Sequence, residues 1–457
     1  MIDPRIPREL RAWRAWGVAR RLPDGVRDPA FRALVQRVDG GLVHRCPPVE
    51  LLIDGEAAFA RMLSAIATAR VEVLLETYIL RDDRLGVSVQ QALVAAVQRG
   101  VRVCVLADAV GSLATHDEFW STLDAGGVTV RQFHRFWHHP FEALRRDHRK
   151  LLVIDREVAF TGGMNIGEEY GSSIARRRDA WRDTFVEVRG SVARELAAVF
   201  AEGWDRARGP ALPGLEYVSW SDAVVHAPAV GSALYGARAL QARLQWQLQQ
   251  RLGRRRDRRR GRRVRREAEA AGDDAPGVVV LDPRPGRGQR EMLTILAALV
   301  GGARERLWIT TPYFAPPTRA LRLLAVAAQR GVDVRLLLPS ERTDVPIVRH
   351  AAHGAYQYLL AHGVRIWEYE RATLHAKTLV VDGYVGMVGS SNLDFRSFWL
   401  NAECNVLLFD EASGQSLESV YLHDLSGGRE VTTTSWSHRT LGHQVLDATA
   451  RALRWAL

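Results

Sequence analysis

The strongest constraint on this chain is that it carries one pattern twice. "DHRKLLVIDREVAFTGGMN" begins at Asp147 and "LHAKTLVVDGYVGMVGSSN" at Leu374, and both reduce to H-x-K-x4-D-x6-G-[GS]-x-N. Their surroundings repeat as well. "ARVEVLLETYIL" from Ala69 matches "ARERLWITTPYF" from Ala303, and each leads into an alanine- and leucine-rich helical stretch closed by "QRGV". In that closing tetrad Arg99 and Arg330 belong to the last helical turn, and Gly100 and Gly331 supply the left-handed residue before a strand. Strand and helix alternate through both copies, which predicts an α/β protein of two similar α/β/α sandwich halves. A pseudo-twofold axis relating the halves would place both motifs on one active-site cleft at their interface.

The residues of the motif indicate the chemistry. In an extended segment positions i and i+2 share a face, so His148 projects with Lys150 and His375 with Lys377. Only these two lysines occur among the 63 lysines plus arginines of the chain. Lysine presents a compact charge to a single non-bridging oxygen, whereas arginine imposes a planar, bidentate geometry. Imidazole titrates near neutrality, so one histidine can serve as nucleophile while the other carries a proton. Asn165 and Asn392 follow glycine-containing loops, where backbone approaches a ligand closely. Two imidazoles, two ammoniums and two amides converging on one point suit a phosphodiester. Asp155 and Asp382 complete the repeated triads and are counted with them as candidate catalytic residues. Their parity, however, turns them away from the histidine face, and Asp382-Gly383 reads as a tight turn. No metal is expected, because a metal centre needs further ligands at set spacing and carboxylates in place of lysines.

Composition sets the remaining bounds. No apolar run reaches the roughly 18–20 residues that span a bilayer, and "LTILAALVGGA" after Met292 reads as a core helix. The N-terminal residues show no secretory signal. Cys46, Cys104 and Cys404 are scattered and suggest neither a disulfide framework nor zinc. The formal net charge of +11 is concentrated in residues 251–266, "RLGRRRDRRRGRRVRR", which alone carries about +10 and is suited to a polyanion. The expected organisation is a basic arm over 1–40, with Trp13 and Trp16 among its arginines. A first half follows over 41–215, a connector with the arginine insertion over 216–276, a second half over 277–440 and a C-terminal segment over 441–457. "VRQFHRFWHHPF" offers Phe133, Phe136, Trp137 and Phe141 as an apolar mouth, and Tyr78 and Tyr313 occupy equivalent places where they would line the substrate pocket.

With these residues assembled, the sequence resembles the phospholipase D superfamily, defined by two HKD motifs. More narrowly it resembles bacterial cardiolipin synthases of the branch without N-terminal transmembrane helices. The narrower likeness rests on "LLETYIL", "TGGMNIG", "WRDTFVEVRG", "TPYFAPP" and "GSSNLDFRSFWLNAE" beside the motifs and covers most of residues 48–440. It implies a phospholipase D-like fold and a phosphatidyl transfer through a phosphohistidine, with no cofactor. His148 would be the nucleophile, and His375 would protonate the leaving glycerol and then deprotonate the incoming alcohol. Lys150, Lys377, Asn165 and Asn392 would hold the phosphate. Asp183 in "WRDT" and Glu403 in "LNAE" would orient the histidines, in a pairing the sequence leaves open. The implied partners are anionic phospholipids, phosphatidylglycerol and cardiolipin, at the cytoplasmic side of the cell membrane, bound peripherally; nucleic acid is not expected. A phospholipase D hydrolase or a phosphodiesterase or nuclease of the same superfamily is the alternative. The acceptor lipid and the oligomeric state are not legible.

Overall fold

A computed structural model describes residues 11–39, 41–47, 49–133, 145–171, 180–215, 276–284, 289–437 and 447. The arginine tract 251–266, and Phe136, Trp137 and Phe141 of the expected mouth, lie outside them. After β1 (Val43–Arg45), the first half contains β2 (Glu50–Ile53), β3 (Glu72–Thr77), β4 (Arg102–Asp108), β5 (Thr129–Phe133), β6 (Leu151–Ile154), β7 (Val158–Gly162) and β8 (Thr184–Arg189). The second contains β9 (Gly277–Leu281), β10 (Arg306–Thr310), β11 (Phe314–Ala315), β12 (Asp333–Pro339), β13 (Arg365–Tyr369), β14 (Thr378–Val381), β15 (Val385–Gly389), β16 (Leu393–Asp394), β17 (Asn405–Phe409) and β18 (Gly428–Val431). The first sheet is ordered β2-β8-β7-β6-β3-β4-β5. The second runs β9-β17-β15-β14-β10-β12-β13 in one-to-one correspondence, extended by β1 and β18 at its edges. In each half three strands are parallel (β3-β4-β5, β10-β12-β13) and the motif hairpin joins antiparallel beside them.

The α-helices of the described residues are α1 (Arg11–Arg20), α2 (Pro29–Asp39), α3 (Asp54–Thr68), α4 (Arg84–Gln98), α5 (Asp117–Ala125), α6 (Ser191–Arg206), α7 (Gln289–Gly302), α8 (Thr318–Gln329), α9 (Pro346–Ala361), α10 (Phe395–Trp399), α11 (Glu411–Leu425) and α12 (Thr433–Ser437). Residues of α3, α4 and α5 cover the outer face of the first sheet, and those of α1, α2, α7, α8 and α9 cover that of the second. A third core, built from α6, α11 and the inner faces of both sheets, joins the halves. Every residue of β3 and of β6 is buried, because layers cover both faces of the sheet. That is why β6 reads as the continuous apolar run LLVI, while β3 buries Glu72, Glu76 and Thr77 around its central VLL.

The repeated "QRGV" acts as expected: Gly100 (φ 86°) and Gly331 (φ 90°) are left-handed. Its arginines cap equivalent places, Arg99 donating to the Ile66 carbonyl at 2.8 Å and Arg330 to that of Ala303 at 3.1 Å. The N-terminal residues depart from the expected arm. Ala12, Ala15 and Ala19 of α1 and Phe31, Leu34 and Val35 of α2 are buried in the second half's outer core, and β1 pairs with β9. Residues 11–45 therefore pack on the second half, although they precede the first. Small alanines allow the close approach, since the Trp16 backbone passes over Gly301, where a Cβ would meet its carbonyl oxygen at 2.5 Å. Trp16 packs against that core, and Phe133 is itself core, 1 % exposed, rather than part of a mouth.

Candidate active site at the junction of the halves

Each histidine is positioned by the opposite half. The His148 amide donates to the Ala402 carbonyl at 2.9 Å, and the His375 amide to that of Arg182 at 2.8 Å. The next residue in each case is the carboxylate. Glu403 Oε2 thereby lies 2.9 Å from His148 Nδ1, and Asp183 Oδ2 lies 2.6 Å from His375 Nδ1. The pairing is crossed. With both Nδ1 atoms engaged, neither Nε2 has a partner among the described residues. Each lysine folds back on its own motif, Lys150 Nζ donating to the His148 carbonyl at 2.7 Å and Lys377 Nζ to that of His375.

The two motifs share one electrostatic site. The Lys150 and His148 charges both lower His375, and the Lys377 charge lowers His148. Burial is the leading cause for each histidine, and both titrate below the usual imidazole range, His375 well below it. Burial also lowers Lys150 to about 7 and Lys377 to about 8, against the pull of Glu403 and Asp183. Burial would raise Glu403, but the His148 and Lys150 charges and a hydrogen bond from Ser390 outweigh it and hold the carboxylate low. For Asp183 burial prevails, lifting it to about 6 despite Lys377 and the Thr184 amide.

The difference between the carboxylates has a local cause. Glu403 accepts from Ser390 Oγ at 2.5 Å, Ser397 Oγ at 2.8 Å and Asn401 Nδ2 at 3.3 Å. Gly163 stands where the second half has Ser390, and a Cβ there would meet Asp183 Oδ1 at 2.2 Å. The degenerate [GS] position of the motif thus follows the length of the carboxylate it faces.

Asn165 and Asn392 are not equivalent in their bonding. Asn165 accepts from the Ile79 amide (3.2 Å) and donates to Tyr170 Oη (3.0 Å), which lies 3.2 Å from His375 Nδ1. Asn392 leaves its buried Oδ1 without a partner among the described residues. Tyr78 lies 5.1 Å from the His148 ring and Tyr313 lies 6.3 Å from that of His375, so the tyrosines flank opposite imidazoles. Asp155 and Asp382 are the residues to correct as catalytic candidates. They sit at the far end of the motif hairpin, in left-handed turn positions (φ 52° and 51°). Asp155 accepts from the amides of Arg70, Val71 and Glu72 (2.8–2.9 Å), and Asp382 from those of Arg304, Glu305 and Arg306 (2.8–2.9 Å). They brace the start of β3 and β10, consistent with their opposite parity. Sequence reasoning missed Tyr170, Ser390, Ser397 and Asp344. Asp344 accepts from Tyr313 Oη, and its charge reaches His375 and Lys377. The [GS] position signalled Ser390; nothing in the sequence marked the others.

A search against family models matches residues 62–204 and 296–425 to "Cardiolipin synthase, PLD-like domain". The chain is 30% identical over 412 residues to a cardiolipin synthase of Alkalihalophilus pseudofirmus, covering 88% of this chain and 71% of the relative. It is 31% identical over 406 residues to cardiolipin synthase 2 of Bacillus cereus, covering 88% and 69%. Among solved structures, phosphatidylserine synthase of Haemophilus influenzae superposes with a TM-score of 0.66 at 13% identity, covering 94% of this chain and 100% of that one, which establishes the fold. No helix of the described residues is long and apolar enough to cross a membrane. The matched segments bracket both motifs and the relatives span most of the molecule, so this chain belongs to the family of cardiolipin synthases with a phospholipase D-like domain.

Proposed function

We propose that this protein is a phosphatidyltransferase of the cardiolipin synthase type, moving a phosphatidyl group from phosphatidylglycerol to the hydroxyl of a second phospholipid and releasing glycerol. The observation that carries this reading is the crossed arrangement of His148–Glu403 and His375–Asp183, which leaves both Nε2 atoms free beside two ammoniums. His148 Nε2 attacks phosphorus, forming the P–N bond as the bond to the glycerol oxygen breaks. His375 Nε2 gives its proton to that oxygen. The incoming hydroxyl then attacks the phosphohistidine while His375 takes its proton, which restores both imidazoles. The firmly ionised Glu403 suits the nucleophile's partner, because it stabilises the positive charge that develops on the His148 ring. Lys150, Lys377 and the Nδ2 amide of Asn392 would provide donors to the equatorial oxygens, where such groups act most strongly. Both lysines are at least 98 % buried, so their charges act with little screening.

The protein would act from the membrane surface as a peripheral enzyme. Purified protein given head-group-labelled phosphatidylglycerol in mixed micelles, without added metal, is expected to yield cardiolipin and labelled glycerol in equal amounts. His148→Ala should abolish both the products and an acid-labile protein-bound phosphate. Phosphatidic acid as the sole lipid product would assign a hydrolase instead, and cleavage of an oligonucleotide without lipid would assign a nuclease.

A further inference from the structure

A second site lies outside the catalytic junction, where α1 crosses α2. A cavity of about 380 Å³ opens there, lined by Trp13, Arg14, Gly17, Val18, Arg21, Leu34 and Arg37. Leu34 is buried and floors it, Trp13 is half-buried in its wall, and the three arginines are exposed around it. Positions 14, 17 and 18 recur at helical spacing, so they share one face of α1, and Arg21 follows directly after its end. Val18 on that face is 39 % exposed.

The arginines mark this cavity as an anion site. Neighbouring arginines are committed to the protein itself: Arg20 lies over the Trp16 ring at 5.2 Å, Arg27 pairs with Glu411, and Arg32 donates to Tyr384 and to the Phe409 carbonyl. The side chains of Arg14, Arg21 and Arg37 have no such partner among the described residues. Gly17 adds to the argument. A Cβ built there meets nothing within 4 Å, so no packing demand excludes a side chain, and its absence leaves the cavity open.

We propose that this groove binds the phosphate head of an anionic phospholipid in the bilayer and so fixes how the enzyme lies on the membrane. Three exposed guanidiniums line one cavity, and Leu34 with the Trp13 indole gives it an apolar part that suits the region just below the headgroups. The choice of a lipid as occupant rests on the phosphatidyl-transfer reading; the anion site itself does not.

Two full-length variants separate this site from diffuse attraction. Arg14→Gln/Arg21→Gln/Arg37→Gln removes the cations. Gly17→Leu keeps every charge, fills the cavity and improves helix propensity, so it should fold. Partitioning onto phosphatidylcholine vesicles containing phosphatidylglycerol is expected to weaken about tenfold in both variants. Binding to pure phosphatidylcholine vesicles, and turnover of monomeric short-chain phosphatidylglycerol, should not change. Gly17→Leu protein that partitions like the parent overturns the proposal, whether the groove is empty or filled by another part of the chain or a second copy. Loss of binding to a short DNA duplex but not to vesicles overturns it in favour of nucleic acid. If the parent protein makes no cardiolipin yet both variants lose vesicle binding as described, the transfer reading fails and the anion site stands.

Discussion

Glu403 and Asp183 occupy equivalent positions but burial raises Asp183 to about 6 while its partners hold Glu403 low, and this difference assigns them unequal work. Removing the charge from Glu403 by Glu403→Gln is expected to lower kcat by about 10³ or more, since the phosphorylated His148 ring would lose its counter-charge. Asp183→Asn should be milder, because Asp183 titrates at about 6 and Tyr170 remains within reach of His375. Single-turnover rates on the two variants test that order. The lysines set the alkaline limb. They must be protonated to neutralise phosphate, and burial lowers them to about 7 and 8, so kcat/KM should fall as pH rises through this range. Protonation of Asp183 at about 6, and of the nucleophile His148 below the usual imidazole range, sets the acid limb, which gives a bell with its maximum between about 6 and 7. Stability follows the opposite course. Below about 7 Lys150 is charged both folded and unfolded, and the cost of burying that charge is fully present. Between about 7 and the ordinary lysine value of 10.5 only the unfolded chain keeps the proton, so the folded state gains stability as pH rises. Lys150→Met should therefore be inactive yet more resistant to urea at pH 6, by an advantage that shrinks towards pH 10.

At the scale of the element, the motif hairpin is a device with a chemical end and a structural end. The histidine and lysine enter the junction, while the aspartate at the turn collects three amides from the strand beside it. Asp382 is the more buried of the two, at 6 % exposure, so Asp382→Ala should cost about 3 kcal/mol and Asp155→Ala about 2 kcal/mol, with catalysis retained by the folded fraction. Urea midpoints set against specific activity distinguish this from a catalytic role. Period-two parity already turned these aspartates away from the histidines in the sequence, and the glycine of "QRGV" already located two helix ends. The packing of α1 was hidden by its composition. Arginine and tryptophan dominate the string, but the contact with α7 is made through Ala12, Ala15 and Ala19, residues too small to register as an apolar stripe.

At the scale of the molecule, the halves are interlocked by charge as well as by core. Arg149, fully buried, reaches Glu202 (2.8 Å) and Glu76 (3.4 Å) in the first half and Asp282 (2.5 Å) in the second. Arg182 spans the same boundary to Asp424 at 2.8 Å. Arg149→Ala would leave the buried Glu76 without a cation and strip Glu202 and Asp282 of one of theirs, Arg284 remaining to both, and is expected to cost about 3–5 kcal/mol, read as a lower urea midpoint. With the third core shared, both halves should unfold in a single calorimetric transition, and two transitions would contradict the interlock.

The sequence by itself determined the duplication, the alternation of strand and helix, and the identity of the histidines and lysines that meet at the junction. These are properties of spacing and side-chain chemistry, which a linear string carries in full. Only the tertiary structure decided that Glu403 serves His148 and Asp183 serves His375, because each pairing depends on a backbone hydrogen bond made across the junction. Only the structure placed residues 11–45 on the second half and opened a groove between α1 and α2. Contacts between segments hundreds of residues apart arise from shape and burial, and no local pattern records them.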